Sequence, residues 1–294
     1  MALLLSGCGT LTLRHGDGMP SQAYVATPFF TQDTHHCGPA ALAGALAASG
    51  VVTTPELLAP QVYLPGREGS LQLELLAAAR GMGRVAYVLE PSLEDALREV
   101  AAGRPVLVLQ NLGLSWYPRW HYALLIGYDL TAGSVTLHSG TTPDYVTSLT
   151  VFDRTWARAG RWGLLVLPPG LLPATAGELP YLTAVAALER GNPGAAETAY
   201  MAALQRWPAS LPALLGLGNA RYAQDNLKGA VQAFAAAVMA HPDSAVAHNN
   251  HAHVLHRLGR GAEALAAARS AVELAGDTLP AARRTLEEIS AGLE

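Results

Sequence analysis

The sequence predicts an α+β domain followed by an all-α repeat array, and three observations carry that prediction. Helical and strand patterns alternate up to a Pro/Gly-rich stretch at 167–177, only helical patterns follow it, and the later helices recur at a fixed spacing. With 294 residues there is room for two domains, each able to bury its own core. Half of the residues are hydrophobic and 14% are charged, the composition of a folded chain and not of a disordered one. The net charge of -4 lacks the basic surplus that a phosphate backbone demands, so nucleic acid is not expected as a partner. No window reaches the roughly 18 to 20 consecutive apolar residues of a spanning helix, so any membrane connection is expected to be an anchor.

In the first part, Pro39 to Ser49 reads as a compact apolar helix closed by Gly50, and Ser70 to Arg80 as a second helix. Arg84 to Leu89 reads as a strand. Ser92 is a good N-cap, and Glu94 and Asp95 suit the positive end of the dipole, so 93–102 is expected to be a third helix. Pro105 to Leu109 and His121 to Tyr128 are strands rich in Val, Leu and Ile. Asp129 to Gly133 then turns the chain into Ser134 to His138, and Trp162 to Leu167 closes the set. The expected partition is a first domain over 24–169, a linker over 170–177 and repeats over 178–294.

The second part keeps a period of 34: Trp207-Pro208 returns as His241-Pro242, Ala196 as Ala230 and Ala264, Ala203 as Ala237 and Ala271, and Tyr200 as Phe234. Small residues at fixed helix positions let paired helices approach, and the aromatic fills the gap between them. This pattern resembles the tetratricopeptide repeat, with about three copies, near the minimum for a stable stack. Leu217-Gly218 matches the first-helix signature, whereas Thr183-Ala184 and His251-Ala252 depart from it. The resemblance implies a solenoid that recruits a protein partner or the substrate through its concave face. His248, His251, His253 and His256 fall on one repeat helix and read as a polar, partner-facing surface rather than a metal site.

At the other end, Met1 to Leu5 is a short apolar run leading into Leu5-Ser6-Gly7-Cys8. That tetrapeptide resembles the lipobox of bacterial lipoproteins, although the charged and apolar parts of a usual signal are truncated. The resemblance implies a lipoprotein signal over 1–8, acylation of Cys8, and a polar tether over 9–23. Gly9 in place of an aspartate further implies the outer membrane, facing the periplasm. Acylation would leave Cys37 as a lone thiol in an oxidising compartment, where an idle exposed cysteine is a liability.

The segment Gln32-Asp33-Thr34-His35-His36-Cys37-Gly38-Pro39-Ala40-Ala41-Leu42 puts that cysteine at the start of a helix. Unpaired N–H groups and the partial positive charge there are expected to lower the thiol pKa toward neutrality. Gly38 permits close substrate approach, and Pro39 suits the first turn because it has no N–H to lose. Gln32 is placed to supply, with the Cys37 N–H, the two donors of an oxyanion hole.

These residues resemble the nucleophile motif of the bacteriocin-processing, double-glycine-type peptidases of the papain-like clan. The second motif is present 84 residues on, in Trp120-His121-Tyr122-Ala123-Leu124-Leu125-Ile126-Gly127-Tyr128-Asp129, preceded by Gly103-Arg104-Pro105-Val106-Leu107-Val108. The resemblance covers about 24–168 and implies a papain-like fold with Cys37 as nucleophile, His121 as base and Gln32 as oxyanion donor. The family's orienting Asp-Pro is replaced by Leu137-His138-Ser139-Gly140, so Ser139 is expected to hold the imidazole without a charge, with His138 pointing to the opposite face. The implied substrate is a peptide or protein cut after a small pair such as Gly-Gly. The rim of its cleft is expected at Pro65 to Ser70, while Trp116, Tyr117 and Trp120 are assigned to the cleft wall or to the sheet core. No metal or cofactor is called for, since Cys-x-x-Cys, His-Glu-x-x-His and the phosphate-binding Gly-x-x-x-x-Gly-Lys-Ser/Thr are all missing. Two other readings stand beside the peptidase: a weak or inactive papain-like binding scaffold, and another thiol enzyme such as a cell-wall amidase or transferase.

Overall fold

The computed structural model describes residues 18–31, 37–276 and 278–292. These divide into two compact units, the first ending at Pro168 and the second beginning at Gly177. The expected linker is shared between them: Pro169–Leu172 packs with the second unit and Pro173–Ala176 with the first. The cause is Glu99, fully buried, which accepts from the Ala174 N–H at 3.2 Å, from the Thr175 N–H and hydroxyl at 2.7 Å each, and pairs with Arg104 at 3.1 Å.

The first unit is an antiparallel sheet with helices on both faces. Its strands are β1 (Gln22–Tyr24), β2 (Val85–Val88), β3 (Val106–Asn111), β4 (Trp120–Asp129), β5 (Ser134–Ser139), β6 (Thr142–Ser148) and β7 (Gly163–Leu167). They run in the order β2-β7-β3-β4-β5-β6, with β1 paired to the far end of β4. Gln22 and Ala23 therefore belong to the sheet and not to the expected tether; Gln22 sits opposite Asp129. The helices are α1 (Cys37–Ala48), α2 (Pro55–Val62), α3 (Gln72–Gly81), α4 (Leu93–Ala101) and α5 (Leu149–Ala157).

Helix α1 has no polar stripe and is buried from Gly38 to Leu46, as expected of a helix that is apolar all round. It packs with α2 and α3 over β4, and Leu42 and Leu46 share one core with Leu109, Tyr122, Leu124 and Ile126. Ser92 caps α4 as its sequence predicts, accepting from the Asp95 N–H at 3.2 Å. Four elements of the first unit escape the sequence patterns: β1, α2, β6 and α5. The apolar residues Leu149, Phe152 and Trp156 of α5 lie at helical spacing and were the readable signal for it.

The second unit is helical throughout its described residues: α6 (Glu178–Glu189), α7 (Pro193–Arg206), α8 (Leu211–Ala223), α9 (Leu227–Ala240), α10 (Ala245–Arg257), α11 (Gly261–Ala275) and α12 (Pro280–Ala291). Gly218 of α8 lies so close to the Phe234 ring of α9 that no Cβ fits there, and Gly216 meets Tyr200 of α7 in the same way. The period's aromatics, Tyr200 and Phe234, are thus each seated against a glycine of α8. At α11 the aromatic is replaced by buried Ala268, and α12 packs against α10 and α11 beyond the third pair.

Candidate active site

Helix α1 begins at Cys37 itself, so the sulfur lies at the helix end where N–H groups are unpaired. It opens into a cleft of about 540 Å³. Arg67 to Gln72 form one side, including most of the expected glycine-rich rim, and Leu109, Trp120, Tyr122 and Arg158 complete the wall. Of the three aromatics in doubt, Trp120 lines this cleft, while Trp116 and Tyr117 are exposed and belong to no core. A Cβ at Gly38 would collide with Ser70 Oγ, so the glycine also lets the rim close against α1. Tyr122 braces the same rim by donating its hydroxyl to the Ser70 carbonyl at 3.3 Å.

Burial pushes the Cys37 thiol above its ordinary value. The backbone amides of Tyr122, Gly38 and Cys37 itself favour the thiolate, but they offset only part of that cost. The expected preformed thiolate is therefore corrected: the helix end does not outweigh removing the sulfur from water, and the resting group is a thiol.

His121 lies one peptide away from that sulfur, because Tyr122, whose amide faces Cys37, is the next residue on β4. In the β3–β4 register Tyr122 stands opposite Leu109 and His121 opposite Gln110, so the neighbours fall on different faces of the sheet. Tyr122 faces α1. His121 faces α5, in a second hollow of about 360 Å³ that it shares with Ser139, Gln110 and Thr155. The structure brings His121 and Ser139 together, with Nε2 and Oγ 2.8 Å apart. It makes no hydrogen bond between Cys37 and His121.

Burial lowers the His121 pKa, which keeps the ring neutral. In the tautomer whose Nε2–H donates to Ser139, Nδ1 is the acceptor a base requires. His138 points to the other face of β5, as alternation predicts. There its Nε2–H donates to the Thr27 carbonyl at 3.1 Å and its Nδ1 accepts from the Asp144 N–H at 3.4 Å, so both nitrogens are used structurally.

Residues 24–163 match the Peptidase_C39 like family, and residues 181–245 and 215–278 match the tetratricopeptide repeat. This chain carries a C39-like peptidase domain followed by tetratricopeptide repeats. A solved structure described as a C39-like peptidase from Bacillus anthracis is similar at 19% identity and a TM-score of 0.43, covering 50% of this chain and 97% of its own. No curated protein matches.

Within the C39-like domain, Gln32, His35 and His36 lie outside the described residues, as does Cys8 before it. In the repeats, two of the four clustered histidines are committed within the fold. His253 Nε2 meets the Tyr222 hydroxyl at 3.1 Å, and His248 Nε2 donates to the Pro242 carbonyl at 3.0 Å.

Proposed function

We propose that the C39-like domain is a cysteine endopeptidase in which Cys37 is the nucleophile and His121 the base. The observation that carries this reading is a thiol at the head of a buried helix, facing a cleft, one peptide from a neutral histidine whose Nε2 is held at 2.8 Å by Ser139. A raised thiol and a lowered imidazole make a neutral resting pair, so activation comes with substrate and not before it. As Sγ bonds to the peptide carbonyl carbon, Nδ1 of His121 takes the thiol proton. The oxyanion is stabilised by the Cys37 N–H and by Gln32. His121 then gives its proton to the departing amine as the C–N bond breaks, and water hydrolyses the thioester.

This reading requires Nδ1 of His121 to come within reach of Sγ when substrate binds. Ser139 is suited to orient the ring but adds no charge to support an imidazolium. The family resemblance implies cleavage after a small pair such as Gly-Gly. Acylation at Cys8 would hold the chain on the outer membrane, facing the periplasm, while the repeats bind a protein partner or the substrate.

The test is a comparison of envelope peptide termini in wild-type and Cys37→Ala cells. New C-termini after small residues, present only in the wild type, are expected; identical termini refute the peptidase. The second reading, a papain-like scaffold that binds peptide without cutting it, is favoured by the missing Cys37 to His121 hydrogen bond. It predicts unchanged termini together with peptide binding that survives Cys37→Ala. The anchor is tested by metabolic labelling with palmitate, which Cys8→Ser should abolish.

A further inference from the structure

Between β3 and β4 the chain forms a tight hairpin, Leu112-Gly113-Leu114-Ser115-Trp116-Tyr117-Pro118-Arg119. Its backbone is firmly built. Leu114 and Tyr117 exchange two hydrogen bonds of 3.1 Å, and the Leu112 N–H donates to the Arg119 carbonyl at 2.9 Å. At the base, Asn111 Oδ1 accepts from the Gly113 and Arg119 N–H groups at 2.9 Å each. Two donors of the Arg158 guanidinium clamp the Asn111 carbonyl from below, at 3.1 and 2.9 Å. This well-tied loop nevertheless holds Leu112, Leu114, Trp116 and Tyr117 in water, and Trp120 beside it on β4 is exposed too, each more than half exposed and Trp116 81% exposed. Five large apolar side chains gathered on and beside one ordered projection mark an interaction surface.

The composition says what kind. The hairpin contains no acidic residue, and its tip is Trp, Tyr and Leu, the residues that settle at the headgroup level of a bilayer. Arginines ring its base. Arg119 follows the tip, Arg158 clamps the stem, and Arg154 lies one turn earlier on the same stripe of α5. Among the described residues none of the three is paired with a carboxylate. We propose that this hairpin docks the domain on an anionic lipid surface, with Trp116 and Tyr117 at headgroup depth and the three arginines against the lipid phosphates. Trp120, which follows the hairpin on β4, lines the Cys37 cleft, so docking would bring the cleft to the membrane surface. The surface adjoins the Cys37 cleft through Trp120 and Arg158, and its tip, Leu114 to Tyr117, lines neither the cleft nor the His121 hollow.

The test uses the full chain as Cys8→Ser, which carries no lipid, mixed with vesicles of phosphatidylcholine with and without phosphatidylglycerol. Flotation with the anionic vesicles, weakened by salt, is expected, together with a blue-shifted tryptophan emission and quenching by brominated lipid. Trp116→Ser with Tyr117→Ser should lower the partition coefficient about tenfold or more. Arg119→Gln should lower it about fivefold. Both sets of changes lie at exposed positions, and an unchanged circular dichroism spectrum verifies the fold. No flotation on either vesicle, or flotation indifferent to the tip substitutions, overturns the proposal. So does an outcome in which the tip variants bind vesicles normally but lose affinity for an extended peptide, since the surface then belongs to the substrate.

Discussion

Replacing Ser139 by Asp restores a charge where the structure has only a hydroxyl, and its consequence can be worked out from one distance. His121 Nε2 lies 2.8 Å from Ser139 Oγ, and the adjoining hollow of about 360 Å³ gives a carboxylate room in place of the hydroxyl. A neutral hydrogen bond is worth about 1 kcal/mol net and one to a charged group about 1.5 to 3 kcal/mol. The difference, about 1 kcal/mol or slightly more, accrues only to the imidazolium and raises the His121 pKa by about one unit. That shift reverses the direction in which burial now moves the ring. If His121 serves Cys37, the thiolate–imidazolium pair becomes about tenfold more populated, and iodoacetamide should alkylate Cys37 about tenfold faster at pH 7. The assays are NMR titration of the His121 ring and the pH profile of alkylation. An unmoved His121 pKa refutes the Ser139 contact. A raised His121 pKa with unchanged alkylation refutes the coupling of His121 to Cys37.

In the wild type, burial holds the Cys37 thiol up, so alkylation at pH 7 should be slower than that of free cysteine and should rise only above the usual thiol range of about 8.5, as followed by mass spectrometry. His121 titrates below its ordinary value in the folded state, so the unfolded chain takes up the proton first. Stability from this group is complete above about pH 6.5 and is lost as pH falls toward the folded-state pKa; the difference in urea midpoint between wild type and His121→Gln should shrink over that window. Glu99→Gln removes a fully buried charge from Arg104 and from the 174–175 backbone, and should cost the first unit about 3 to 5 kcal/mol in denaturant unfolding. Gly218→Ala drives a methyl into the Phe234 ring and should destabilise the repeats by about 1 to 3 kcal/mol, measured as a lower melting temperature.

Local rules carried much of this protein. The apolar helix after Cys37, the Ser92 cap, the strands around His121 and the 34-residue period were legible because each depends on residues close in sequence, where periodicity and capping act. The pairing of His121 with Ser139, and the turn of His138 to the opposite face, followed from strand alternation once a resemblance had supplied the register. What lay hidden depends on distant groups. Strand β6 and helix α5 enclose the hollow around His121, and Arg158, the residue that follows α5, reaches the base of the aromatic hairpin. Glu99 gathers residues 75 positions away into the first unit. The state of the Cys37 thiol was decided the same way. Its place at a helix end is a property of sequence and favours the thiolate, but how much water is removed from the sulfur is set by Ser70, Tyr122 and the sheet beneath α1. That tertiary burial is the larger effect.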